Sequence, residues 1–112
     1  MSAKPYTNRT REHLEDCIRP VIARCDVFAS ELGIPGSTLR RRLQEEGTSW
    51  ARLQQEEIAR RVDDLRARGM PESAIAFDLG YESYDSFARA SRTWLKSQIR
   101  EAPRFIGSGG RL

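Results

Sequence analysis

One histidine, His13, and two cysteines, Cys17 and Cys25, are all that this chain of 112 residues offers of the softer metal ligands. A structural zinc site takes about four such side chains at close spacing, and there is no C-x-x-C. The cysteines are therefore expected as reduced thiols at least partly in the core, with no metal. Long apolar runs are missing as well. No stretch approaches the ~18 residues of a membrane span, and no apolar secretory segment opens the chain, so the expectation is a cytoplasmic protein. A glycine-rich phosphate loop and a nucleophile–base set are also missing. Glu56/Glu57 and Asp63/Asp64 are paired carboxylates, but they stand among arginines on one long helical pattern, where i, i+4 pairing accounts for them. Neither catalysis nor a cofactor is expected. Lysine is scarce: of the 19 basic residues, only Lys4 and Lys96 are not arginine. Arginine is the cation suited to bidentate contact with phosphate and guanine.

What is present suits one soluble domain. The chain is 38% hydrophobic and 31% charged, with a formal net charge of +3. That balance is too mild to argue for a nucleic-acid partner by itself; the placement of the charge carries more. Helical periodicity dominates, and the fold class expected is all-α.

Residues 73–94 read as two short helices around a tight turn. Ile75, Ala76 and Leu79 give the first an apolar face. Gly80 ends it in a left-handed cap. Ser83, Asp85 and Ser86 are N-cap candidates for the second, which carries Phe87, Trp94 and Leu95 inward and sets Arg89 and Arg92 between them. The same pattern occurs earlier. Ala29-x-x-Leu32-Gly33-Ile34 matches Ala76-x-x-Leu79-Gly80-Tyr81. An apolar anchor follows in each copy, Leu39 and Phe87, and two residues later an arginine, Arg41 and Arg89. The second turn is one residue longer. Each copy is a helix-turn-helix whose second helix shows basic and small polar side chains outward, a shape that fits a DNA major groove.

Between the copies, Thr48 or Ser49 caps a long helix over about 49–68. Trp50, Leu53, Ile58, Val62 and Leu65 form its apolar stripe, and Glu56, Glu57, Arg60, Arg61, Asp63 and Asp64 a charged solvent face. At 1.5 Å per residue, ~20 residues span about 30 Å, close to the roughly 34 Å of one DNA turn. Such a rod sets two reading helices into successive major grooves. At the N-terminal end, residues 1–9 read as a flexible arm. A helix follows from Thr10 to Arg19, with Leu14, Cys17 and Ile18 on one face and Val21 and Ile22 continuing it beyond Pro20. Residues 97–105 read as a last short helix interrupted at Pro103, and 107–112 as a flexible tail.

The two copies, their order and their spacing resemble the DNA-binding domain of the AraC/XylS transcription regulators. I-A-F-D-L-G-Y-E-S-Y-D-S-F-A-R-A-S-R-T-W follows that family's I-A, G-[FY], F-x-R-x-F-[KR] run, and S-T-L-R-R-R-L-Q-E-E-G-T-S-W resembles the segment closing its first unit. The resemblance covers roughly residues 24–96. It implies a domain over 10–106, with a first unit at about 24–47 and a second at about 72–96. It implies base-facing positions at Ser37, Arg40 and Arg41 in the first unit, and at Tyr84, Asp85, Ser86, Ala88 and Arg89 in the second. Asp85 reads either as an acceptor for a cytosine amino group or, more in keeping with its place, as a helix cap. Phosphate contacts fall on Arg42, Thr48, Arg92 and Lys96. The chain departs from the family at Pro35, where a serine is common, at Ser91, where an aromatic is usual, and at Lys96 and Ile99, where a closing G-x-[ST]-P is expected. The length resembles the small free-standing members, which bind asymmetric sites as monomers and often activate by touching RNA polymerase. The implied function is sequence-specific regulation of transcription on double-stranded DNA. The alternatives are a mobile-element accessory factor, or a protein-interaction module that keeps the fold without binding DNA.

Overall fold

The computed structural model describes residues 4–101, with side chains through Thr93, and all its regular structure is helical. In order these are α1 Pro5–Asp16, a single 3-10 turn Pro20–Ile22, α2 Cys25–Glu31, α3 Gly36–Glu45, α4 Trp50–Ala67, α5 Glu72–Leu79 and α6 Tyr84–Glu101. The expected break at Pro103 and the tail lie outside the described residues, as do the side chains of Trp94, Leu95, Lys96 and Ile99.

Both expected turns form, by one mechanism. Gly33 and Gly80 adopt φ of 78° and 105°, a region that costs glycine nothing and other residues about 1–2 kcal/mol. Past Gly33, Ile34 N donates to Ala29 O at 3.0 Å; past Gly80, Tyr81 N donates to Ala76 O at 3.0 Å. Each glycine N–H bonds back three residues, to Ser30 O and Phe77 O. These are Schellman caps, and the A-x-x-L-G-φ repeat in the sequence is their signature. The ends of α3 and α4 repeat the bonding, with Thr48 N on Leu43 O and Met70 N on Leu65 O.

The buried side chains form two separate clusters. Leu14, Cys25, Phe28, Ala29, Leu39, Leu43 and Leu53 make the first, under α1, α2, α3 and the start of α4. Ile58, Val62, Ile75, Ala76, Leu79 and Phe87 make the second, under the end of α4 with α5 and α6. α4 thus gives one end to each unit. Ser49 caps it, its hydroxyl accepting from Arg52 N at 3.1 Å. At its far end Arg66 donates through Nε and Nη2 to both oxygens of Glu72, at 2.8 and 2.7 Å, fixing the corner into α5.

Four expectations need correction. Residues 5–8 are not an arm: α1 starts at Pro5, with the first-turn amides of Tyr6 and Thr7 donating to the Glu46 carboxylate at 3.1 and 2.7 Å, and Thr10 is a buried interior residue, not a cap. α1 ends at Asp16, so its apolar face stops at Leu14; Ile18 and Ile22 are 85% and 63% exposed. The charged side of α4 is not all solvated, because Glu57 is buried and Arg61 largely so. Finally, α6 does not stop near residue 96 but runs unbroken through Lys96 to Glu101.

Candidate nucleic-acid interface

α3 buries Leu39 and Leu43 and turns the opposite side to solvent. Ser37 and Arg41, four residues apart, share that exposed side, with Arg40 at its edge. Pro35, not Ser37 or Thr38, is the N-cap residue; its φ of −66° and ψ of 152° start the helix without a side-chain bond. Each of the three arginines holds a carboxylate. Arg40 Nη2 lies 3.0 Å from Asp26 Oδ1, reaching back to α2. Arg41 and Arg42 share Glu45, at 3.1 and 3.4 Å, and the Arg42 guanidinium also lies 5.9 Å from the Tyr6 ring centroid. The Asp26–Arg40 pair passes so close to α3's first residue that a side chain at Gly36 would collide with the Asp26 carboxylate. Gln44 is exposed three residues beyond Arg41, on the same side. The sequence reading passed over it, although its spacing from Ser37 and Arg41 marks it. Between α2, α3 and the start of α4 is an open cavity of about 580 Å³, lined by Arg24, Asp26, Arg40, Gln44, Thr48 and Trp50 among others. Thr48 is therefore half-buried in a groove wall and not a projecting side chain.

α6 buries Phe87, and the Tyr81 ring meets it edge-on at 5.5 Å. Burial pushes the Tyr81 phenol up to about 12. Asp85, Arg89 and Arg92 stand exposed at i, i+4 and i+7, with Ala88 half-buried beside them. Ser86 is set apart from this stripe, its N–H donating to Ser83 Oγ at 3.2 Å and its hydroxyl at the same distance. Ser83 is thus the cap that Asp85 was expected to be. Asp85 keeps a favourable place in the first turn, where the helix dipole welcomes a carboxylate. Tyr84 is 51% exposed, its ring 6.2 Å from that of Phe87. The structure brings together Ser37, Arg40, Arg41 and Arg42 on one helix, and Tyr84, Asp85, Ala88, Arg89 and Arg92 on the other.

Two helix-turn-helix units, each with an arginine-bearing second helix and joined by one linker helix, define the class: an all-helical protein of paired helix-turn-helix type. Comparison with known proteins agrees. The chain is 40% identical over 67 residues to an uncharacterized HTH-type transcriptional regulator of Mycobacterium tuberculosis, and equally to one of Mycobacterium bovis. The match takes in 59% of this chain and 20% of each relative, so it spans about a fifth of the curated relatives' length. The fold is similar to the crystal structure of a DNA-binding transcriptional dual regulator from Escherichia coli, with a TM-score of 0.69 and 27% identity, over 80% of this chain and 86% of that one. No protein-family model matches the chain. These likenesses relate it to helix-turn-helix transcriptional regulators.

Proposed function

We propose that the chain is a sequence-specific DNA-binding domain of the AraC/XylS kind, regulating transcription by laying α3 and α6 in successive major grooves of double-stranded DNA. The observation that carries this is the matched pair of turns at Gly33 and Gly80, each delivering an exposed, arginine-bearing helix. α4, at 18 residues, separates them by roughly 27 Å of rod, within reach of one turn of DNA. The regulators to which the chain is similar support the same reading. In it Ser37, Arg40, Arg41, Tyr84, Ala88 and Arg89 face bases, and Asp85 accepts from a cytosine amino group. Ser86 serves the turn more than the bases. Arg42, Thr48, Arg92 and Lys96 meet phosphates. The domain spans residues 10–106, together with the part of α1 before it, acts in the cytoplasm as a monomer on DNA, has no enzymatic role, and is placed to touch RNA polymerase.

Binding to duplex DNA across a salt series tests this. A protein neutralising Z phosphates loses log affinity against log salt with a slope near −0.9Z, and two inserted helices should touch on the order of six to ten phosphates. A flat response would replace this reading with that of a protein-interaction module.

A further inference from the structure

We propose that segment 17–24, between α1 and α2, is a brace that sets the angle between the two helix-turn-helix units, with Gln54 and Arg61 as positioning residues. The need for a brace follows from the core. Among the described residues, the first cluster takes nothing from beyond Leu53, and the second is built from residues 58–90 plus one outsider, Val21. Without the segment, α4 would be the main element crossing from unit to unit, and a lone helix bends.

The segment begins and ends in the first unit, since Leu14 before it and Cys25 after it are both in the first cluster. Its middle leans on the second unit. Val21 packs against the second cluster. At the turn of the second unit, a Cβ added to Gly80 would lie 3.1 Å from Arg19 Cβ, 3.4 Å from Ile22 Cγ2 and 3.6 Å from Val21 Cβ. Glycine here does more than permit a positive φ, because it lets the turn close onto the segment. The Arg19 guanidinium sits 5.1 Å from the Phe77 ring centroid on α5, a cation–π contact across the same seam.

Two side chains of α4 hold the segment from behind. Gln54 Nε2 lies 2.8 Å from Pro20 O, and 3.2 Å from both Val21 O and Ala23 O. Arg61 donates through Nη2 to Leu14 O and Glu15 O at 2.9 Å each, and through Nη1 to Ile18 O at 3.3 Å. Its Nε is held by the buried Glu57 at 2.7 Å, which fixes the fork. One amide and one guanidinium thus satisfy carbonyls that the end of α1 and the following turn leave without helical partners. They do so from consecutive turns of the rod whose ends carry the two units.

This rests on the proposed DNA reading only for its consequence: a fixed angle selects one spacing between the halves of a site. The test uses the full chain in two variants. Gln54→Met keeps length and removes the donors; Val21→Ala keeps every hydrogen bond and removes the contact with the second unit. Circular dichroism with parental helicity marks a variant as folded. Backbone nitrogen-15 relaxation without DNA should fit one rotational tensor for the parent and require two for each folded variant. Selection from duplexes with randomised spacers should show unchanged base preference in each half. The preference for the best spacer over one a base pair longer should fall about tenfold, equivalent to one or two lost hydrogen bonds. A folded variant that tumbles as one body and keeps the parental spacing overturns the brace. A parent that selects no paired sites overturns the DNA reading instead, and the tumbling comparison alone then decides the brace.

Discussion

At the scale of single residues, the most consequential side chains are ones whose chemistry the sequence shows without their setting. Glu57 and Arg61 sit four apart among other carboxylates and arginines, a spacing that looks the same on a solvated face as on a buried one. Nothing local says that the end of α1 will fold over them. Burial alone would raise the Glu57 carboxyl, but hydrogen bonds from Arg60 and Arg61 outweigh it and hold the group below its ordinary 4.5. A carboxyl lowered on folding contributes stability that is whole above 4.5 and drains away as pH falls through the lowered value. Glu57→Gln should therefore flatten the acid limb of a stability–pH curve measured by denaturant titration; an unchanged limb would show that the pair is not coupled to folding. Arg61→Met should cost about 3 kcal/mol, the low end for breaking a buried pair, because Arg60 still reaches Glu57 at 2.6 Å.

Elements were legible where their signals are local. The two turns could be read from A-x-x-L-G because a Schellman cap is made within six residues. The linker's start could be read from Ser49, since an N-cap reaches only three residues on. The start of α1 could not. Its first-turn amides are satisfied by Glu46, about 40 residues away, so the sequence around Pro5 carries no cap of its own and reads as an arm. Hydrogen bonds from Thr7 and Tyr6 outweigh burial and lower the Glu46 carboxyl. Glu46→Ala should fray α1, costing roughly 1–2 kcal/mol as the loss of a cap does. Hydrogen exchange would then show the amides of Tyr6 and Thr7 losing protection while those of α4 keep theirs; parental protection at Tyr6 would refute the long-range cap.

At the scale of the whole molecule, the repeat foretold two units on one rod, and that arrangement stands. The segment passing behind the rod was illegible, because it exists only as tertiary contact. If α3 and α6 read bases, Arg41 and Arg89 should govern different halves of one site, roughly 10 bp apart, each contact worth about 1–3 kcal/mol of discrimination. Arg41→Ala and Arg89→Ala should relax preference in one half each, nearly additively, with the larger loss from Arg41; relaxation of the same half by both would refute the two-groove arrangement. Two separate buried clusters carry one more consequence, for how the chain comes apart. A domain of this size ordinarily melts as a single cooperative unit, because every part shares one core. Here the apolar glue stops at Leu53 and resumes at Ile58, and what spans the gap is largely polar. Phe87→Ala, costing about 3–5 kcal/mol, should consequently unfold α5 and α6 in a transition of their own, with exchange accelerating there while α2 and α3 remain protected, so that the parent behaves as two foldons sharing a spine.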